Sequence, residues 1–283
     1  MQQPVSAIAD MHVIADLHGK RHATTFAVTV ARRLGAHLTG LALSFEPLIP
    51  VYPMAAPIPT DYIVQARETA LADAEAAAHA FDGVAQGAGL QFETRALASI
   101  TGEGFEEVVE ACRLSDLVVV GQTDPDNPEP LRGSLVEALL FDAAAATVLV
   151  PYAGESTFAA KRALIAWDGS AQAARALRAA IPLLARTDEV IVAMVSEEAK
   201  WTGGVPGADI AGHLARHGLD VEVKRLDNPM HDVAATLLNA VDEEDADWMV
   251  MGAYGHTRVR QMLLGGVTRT LLSSATVPVL MAH

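Results

Sequence analysis

The sequence is short of several things, and each shortage closes off a class of protein. One cysteine, Cys112, in 283 residues leaves no partner for an internal disulfide and suits a reducing compartment. Aromatic residues make up only 5% of the chain, so its core must be built from aliphatic side chains and alanine. Basic residues number 20 against 35 acidic ones, a net charge of −15, and a field of that sign repels nucleic acid and anionic membrane surfaces. No Lys or Arg precedes Lys20, so the start lacks the charged region of a secretory signal. Apolar runs such as residues 143–151 fall well short of the roughly 18 residues of a membrane span. These absences predict a cytoplasmic protein with neither a nucleic-acid nor a membrane partner.

Catalytic signatures are missing too. There is no Gly-Lys-Ser/Thr of a phosphate-binding P-loop. Gly133-Ser134 and Gly169-Ser170 do not sit in a Gly-x-Ser-x-Gly nucleophile turn and read as turn or helix-cap serines. His18 and His22 are four residues apart, but no third metal ligand accompanies them, and they read as solvent-exposed. Cys112 falls on an apolar helix face and reads as core. The run Asp242-Glu243-Glu244-Asp245 reads as a solvated helix end. With no general base or metal triad in evidence, an enzyme is not expected, although slow ATP hydrolysis stays open.

What is present is repetition. Asp116-Leu-Val-Val-Val-Gly121 returns as Asp247-Trp-Met-Val-Met-Gly252, and residues 148–150 return as 279–281. Upstream, Val13-Ile14-Ala15-Asp16 answers Ile165-Ala166-Trp167-Asp168. The repeating unit is a whole domain, which the length of the chain accommodates twice. The predicted division is residues 1–153 and 158–283, joined by a short polar linker around 153–157. In the second copy, strands are expected at 163–167, 190–195, 221–226, 247–251 and 277–281. Helices are expected at 171–185, from Asn228-Pro229 onward, and at about 266–274. Alternating strands and helices predict an α/β fold with parallel, doubly wound sheets. The first copy follows the same plan, with five prolines in residues 44–60 that bar regular structure there and a long Ala-rich helix at about 61–80. That proline segment reads as a surface loop or, alternatively, as a lid or docking arm.

The most specific motif lies in the second copy: Gly252-Ala253-Tyr254-Gly255, nine residues, then Gly265-Gly266-Val267-Thr268. Glycines permit close backbone approach, and a helix opening just after Gly266 would aim free N–H groups at an anion. His256, Arg258, Arg260 and Arg269 add basic character, with no acidic residue from 252 to the end. Charge is divided to match: residues 1–155 hold 8 basic and 20 acidic residues, residues 156–283 hold 12 and 15.

The Gly-x2-Gly-x9-Gly spacing, its place before the last helix and strand, and the opening Ala166-Trp167-Asp168-Gly169-Ser170 resemble the universal stress protein family. The resemblance implies two tandem five-stranded sheets of order 3-2-1-4-5, adenine-nucleotide alpha-hydrolase-like, and binding of ATP, with or without Mg2+, or a related adenine nucleotide. It implies a site of Asp168 toward the adenosine end, backbone at Ala193 and Met194 near the base, and Gly252, Gly255, His256, Arg258, Gly265, Gly266, Val267 and Thr268 toward the phosphates. Gly266 stands where the family usually has Ser or Thr, so one side-chain donor is lost and weaker binding is expected. In the first copy Asp124 replaces the second glycine, and Asp124, Asp126, Glu129, Glu137 and Asp142 face one Arg132. A triphosphate should be repelled there, leaving Asp16 without a phosphate partner. The function this implies is a stress-response regulator whose C-terminal nucleotide alters a surface for a protein partner. The alternative is a nucleotide-free interaction scaffold of the same fold. The family's dimer mode further implies that strands 147–150 and 277–281 pair within the chain as a pseudo-dimer, with a homodimer also possible.

Overall fold

The computed structural model describes residues 8–45, 60–99, 105–129, 131–195, 207–228, 231–254 and 266–283. The proline segment at 46–59 and the glycine loop at 255–265 therefore lie outside the described residues.

Within them, ten strands form one sheet. The first half supplies β1 (Asp10–Ile14), β2 (His37–Phe45), β3 (Phe92–Ser99), β4 (Leu117–Gly121) and β5 (Thr147–Val150). The second half supplies β6 (Arg162–Ala166), β7 (Glu189–Val195), β8 (Val221–Leu226), β9 (Trp248–Gly252) and β10 (Val279–Ala282). Their spatial order is β3-β2-β1-β4-β5-β10-β9-β6-β7-β8. Each half thus has the expected order 3-2-1-4-5, and the two sheets join edge to edge. The seam is the antiparallel pair β5–β10, with Leu149 opposite Val279 and Thr147 opposite Met281; every pair within a half is parallel. Pairing the last strand of each half in this way leaves neither as a bare edge.

The helices are α1 (His22–Leu34), α2 (Thr60–Gly87), α3 (Glu106–Cys112), α4 (Arg132–Phe141), α5 (Ala171–Leu184), α6 (Ala208–Arg216), α7 (Val233–Glu243) and α8 (Val267–Ser274). Two buried clusters mark the two faces of the sheet. One gathers residues of α1, α2, α5 and α6, including Phe26, Phe81, Leu177 and Leu214. The other gathers α3, α4, α7 and α8, including Val108, Leu139, Leu237 and Leu271. Central strands β4 and β5 are buried along their whole length, as strands covered on both faces must be.

Local details refine the sequence reading. Helix α2 runs 28 residues, past the expected end near 80, because alanine, the best helix former, continues through Ala85. It is docked at Gly40 of β2, where a Cβ would come within 2.5 Å of the Phe81 ring. Helix α7 starts at Val233 rather than at Asn228-Pro229, since the Asp232 side chain caps it by accepting the Ala235 N–H at 3.0 Å. Helix α6 was not foreseen. Among its nine residues only Ile210 and Leu214 are buried, and an i, i+4 pair alone is a faint helical signature.

The linker is more than a tether. Phe158 sits edge-on to Phe26 of the first half and Trp248 of the second, at 5.7 and 5.5 Å. Arg33 lies over the Phe158 ring and donates to the carbonyl oxygens of Ala159 and Arg186.

Candidate functional site

A crevice opens at the ends of the central strands of the first half, and the second half repeats the strand order that creates it. In the second half, β6 lies between β7 and β9, and Ala166 pairs with Met251. The chain ends of β6 and β9 are therefore level, which brings Asp168 and Gly252 to the same end of the sheet, at the point where the strand order reverses.

Asp168 is exposed, and its Oδ1 accepts the Ser170 N–H at 2.9 Å. Ser170 in turn caps α5 by accepting from the Ala173 N–H at 3.1 Å, the cap role its sequence context implies. Gly252 has a packing reason to be glycine: a Cβ there would lie 2.4 Å from the Ala173 nitrogen. The first turn of α5 rests directly on the end of β9.

Helix α8 opens at Gly266, extended at φ −69° and ψ 153°, with no side-chain cap and no acidic residue in its first turn. Its leading N–H groups, at Val267 and beyond, carry the partial positive charge of a helix start. Thr268 is buried, and its hydroxyl oxygen accepts the Tyr254 N–H at 3.2 Å. It therefore acts first as the anchor of the segment entering the glycine loop. Ala193 and Met194 are buried at the end of β7. The Ala193 carbonyl already accepts the Trp167 N–H at 2.9 Å, while Met194 and Val195 run past the last residue that β6 pairs, Ala166. Gly255, His256, Arg258 and Gly265 fall outside the described residues; Arg269 is exposed.

The first-half crevice is built around Asp16. Asp16 is part-buried, and its Oδ2 accepts the Thr24 N–H at 3.1 Å and the Thr24 hydroxyl at 3.3 Å. Burial raises its pKa, only partly opposed by the nearby Arg132 charge and the Thr24 bonds. Gly121 leaves room for this carboxyl, since a Cβ there would stand 2.8 Å from Asp16 Oδ1. The acidic residues counted against this crevice do not all face it. Glu137 accepts from the Tyr254 hydroxyl of the other half at 2.9 Å. Asp124 borders the crevice while holding its own turn through the Asp126 N–H and the Asn127 amide. Arg132, only 3% exposed, donates to both Glu129 oxygens at 2.6 Å.

Among the other candidates, His18 is exposed as expected, but His22 is buried at the first turn of α1. Its place after the positive-φ residue Arg21 (φ 55°) swings the ring inward, which spacing alone does not reveal. Among the described residues no group of three or more His, Cys, Asp or Glu side chains could hold a metal, and no helix is long and apolar enough to cross a membrane. Cys112 is core, and burial pushes its thiol up to about 12. In the acidic run, Glu244 pairs with Lys224 at 2.6 Å and its carbonyl accepts from Arg162. Sequence reasoning missed Tyr254 as an inter-half tie, and Gln122 and His22 as crevice residues, because each depends on a neighbour more than 14 positions away or on backbone handedness.

Residues 159–283 match the model of the universal stress protein family. A universal stress protein from Archaeoglobus fulgidus DSM 4304 superposes over 98% of this chain and 98% of its own, with TM-score 0.70 and 20% identity. A functionally unknown protein from Pseudomonas aeruginosa PAO1 covers 98% of this chain and 93% of its own, with TM-score 0.59 and 14% identity. Both show the fold of the two halves together. A universal stress protein solved in complex with cAMP covers 44% of this chain and 97% of its own, at 22% identity and TM-score 0.34. No curated protein matches the chain.

Proposed function

We propose, from the match of residues 159–283 to the universal stress protein family model, that the chain is a stress-response regulator, not an enzyme, that binds ATP or a related adenine nucleotide in its second half. The division we propose is a degenerate domain at 1–153 and a nucleotide-binding domain at 158–283. The observation that carries the reading is the uncapped start of α8 at Gly266, set in a segment with no acidic residue from 252 onward. Backbone N–H groups of Gly266, Val267 and Thr268, with Gly252, Gly255 and Gly265, would receive phosphate oxygens, and His256 and Arg258 would add positive charge. Asp168 would take donors of the adenosine, and the β7 end at Ala193 and Met194 would border the base. Any Mg2+ would ride on the phosphates. Nucleotide bound along residues 252–268 would then alter a surface read by a protein partner.

A second reading, a nucleotide-free scaffold, draws on two observations. Gly252 is demanded by packing against α5, and the Thr268 hydroxyl is engaged by Tyr254. Calorimetric titration of ATP, ADP and cAMP into the full chain separates the two. Saturable heat with ATP, weakened by Asp168→Ala and abolished by Gly255→Glu, is the expected result. No heat at millimolar nucleotide overturns the first reading in favour of the scaffold.

A further inference from the structure

Seven buried side-chain nitrogens among the described residues have no hydrogen-bond partner, and five of them meet in the first-half crevice. They are Nδ1 and Nε2 of His22, Nε2 of Gln122, and Nε and Nη1 of Arg132; the other two, on Asn228 and Trp248, lie elsewhere. All three residues are more than nine-tenths buried: His22 is 8% exposed, Gln122 7% and Arg132 3%. All three line one crevice together with Asp16 and Gly121. Folded proteins rarely leave such groups without acceptors. One nitrogen of a neutral His22 ring is itself an acceptor, so up to four unmatched donors in one open crevice indicate an occupant rich in acceptors.

The surroundings narrow its chemistry. Tyr152 N–H donates to Gln122 Oε1 at 3.4 Å, which fixes the amide so that its nitrogen is left for the crevice. Glu129 engages only Nη2 of Arg132, leaving Nε and Nη1 for another acceptor. Helices α1 and α4 both begin here without a side-chain cap, so their partial positive ends add to the same field. An anionic head is therefore favoured. Its charge must be small, because Asp16, Asp124 and Glu129 also border the crevice and repel a dianion or a triphosphate more strongly than a single carboxylate. On the other wall, the Asp16 carboxyl is an acceptor that calls for a donor. The cavity itself is small, about 40 Å³, room for roughly three waters or a molecule of a few non-hydrogen atoms.

We propose that the first-half crevice is a second ligand site, for a small hydroxy- or amino-carboxylate whose carboxylate is received by Arg132 and Gln122 and whose donor reaches Asp16. This site is independent of the nucleotide reading and would stand if that reading fell. It keeps the expectation that this crevice repels a triphosphate.

The test uses the full chain labelled with nitrogen-15 and follows the Arg132 Nε–H and Gln122 amide resonances during titration. The probes are glycolate, acetate, inorganic phosphate and ATP, each alone. Glycolate should shift both signals saturably, with acetate about tenfold weaker for want of a donor to Asp16, and phosphate and ATP weaker than acetate. Arg132→Gln should abolish the response. Because that change removes a buried cation and puts the fold at risk, Gln122→Met provides a second variant, expected to weaken glycolate about tenfold while the Arg132 signal still responds. Resonances that stay fixed at high millimolar glycolate would mean that water alone satisfies these nitrogens, and the proposal fails. A phosphate response equal to or stronger than that of glycolate overturns the carboxylate assignment.

Discussion

The Tyr254 hydroxyl of the second half donates to Glu137 Oε1 of the first at 2.9 Å. The same residue donates its N–H to Thr268, stacks at 4.9 Å on Phe141, and holds φ at 53°, a conformation costly for a bulky side chain. Phe141 also packs on the ring of His283, whose Nδ1 donates to the Ala253 carbonyl at 3.1 Å. The last described residue before the glycine loop is thus fixed to the other half of the molecule.

Tyr254→Phe should cost about 1.5–3 kcal/mol of folding stability, the range for a hydrogen bond to a charged acceptor. Glu137→Gln should cost less, because an amide oxygen still accepts. A double-mutant cycle by urea denaturation checks the assignment. The two effects should fail to add, with a coupling of about 1 kcal/mol. Strict additivity would mean that the pair does not form in solution.

Gly252 and Gly121 occupy equivalent places in the two halves yet serve different neighbours. Gly252→Ala drives a methyl group into backbone, 2.4 Å from the Ala173 nitrogen, and should destabilise by roughly 2–3 kcal/mol. Gly121→Ala meets the Asp16 carboxyl instead, at 2.8 Å, and a side chain can turn aside. Its cost should be about 1 kcal/mol or less, accompanied by loss of the Thr24 bonds to Asp16. Thermal denaturation of the two variants, compared at one pH, checks the order; a reversal would refute the contacts assigned to each.

This contrast shows where the sequence was readable. The repeat of Asp116–Gly121 in Asp247–Gly252 places a strand-end glycine in both halves, and strand order follows because each half alternates buried strands with amphipathic helices. The reason for each glycine could not be read, since it depends on whether α5 or the Asp16 side chain comes to rest on the strand end. Charge counting could not sort the first-half acids for a similar reason. Glu137 reaches across the seam to Tyr254, while Asp124 and Glu129 border the crevice, a division that proximity in sequence to Arg132 does not reveal. Helix α6, anchored by only Ile210 and Leu214, was hidden for want of apolar positions.

Asp16 gives the protein a pH dependence of known sign. Burial raises its pKa above the ordinary 3.8, so the native state binds this proton more tightly than the unfolded chain. The stability it contributes is complete below 3.8 and is lost as pH rises through the raised native value. At neutral pH the buried carboxylate is a standing cost. Asp16→Asn should therefore raise stability at neutral pH and flatten the decline between acid and neutral conditions. Urea midpoints across that pH range measure it; an unchanged slope in the variant would place the titration elsewhere.

The β5–β10 seam predicts the behaviour of the second half alone. In the full chain, β10 is covered on one side by β9 and on the other by β5, through Val279–Leu149, Leu280–Val148 and Met281–Thr147. All four β10 side chains are buried, and cutting the chain before residue 156 would expose that edge. An exposed apolar edge strand seeks another strand. A second copy of β10, running antiparallel, offers the same aliphatic pattern that β5 provides. Residues 156–283 should therefore sediment as a dimer, and Leu280→Lys, which puts a charge at the middle of the pairing, should return that fragment to a monomer. In the full chain the same substitution should instead lower stability, by about 3 kcal/mol or more for a buried charge without a partner. A folded fragment that sediments as a monomer would mean that the seam depends on contacts outside the strands, with Phe158 between Phe26 and Trp248 and the Tyr254–Glu137 bond as the places to look.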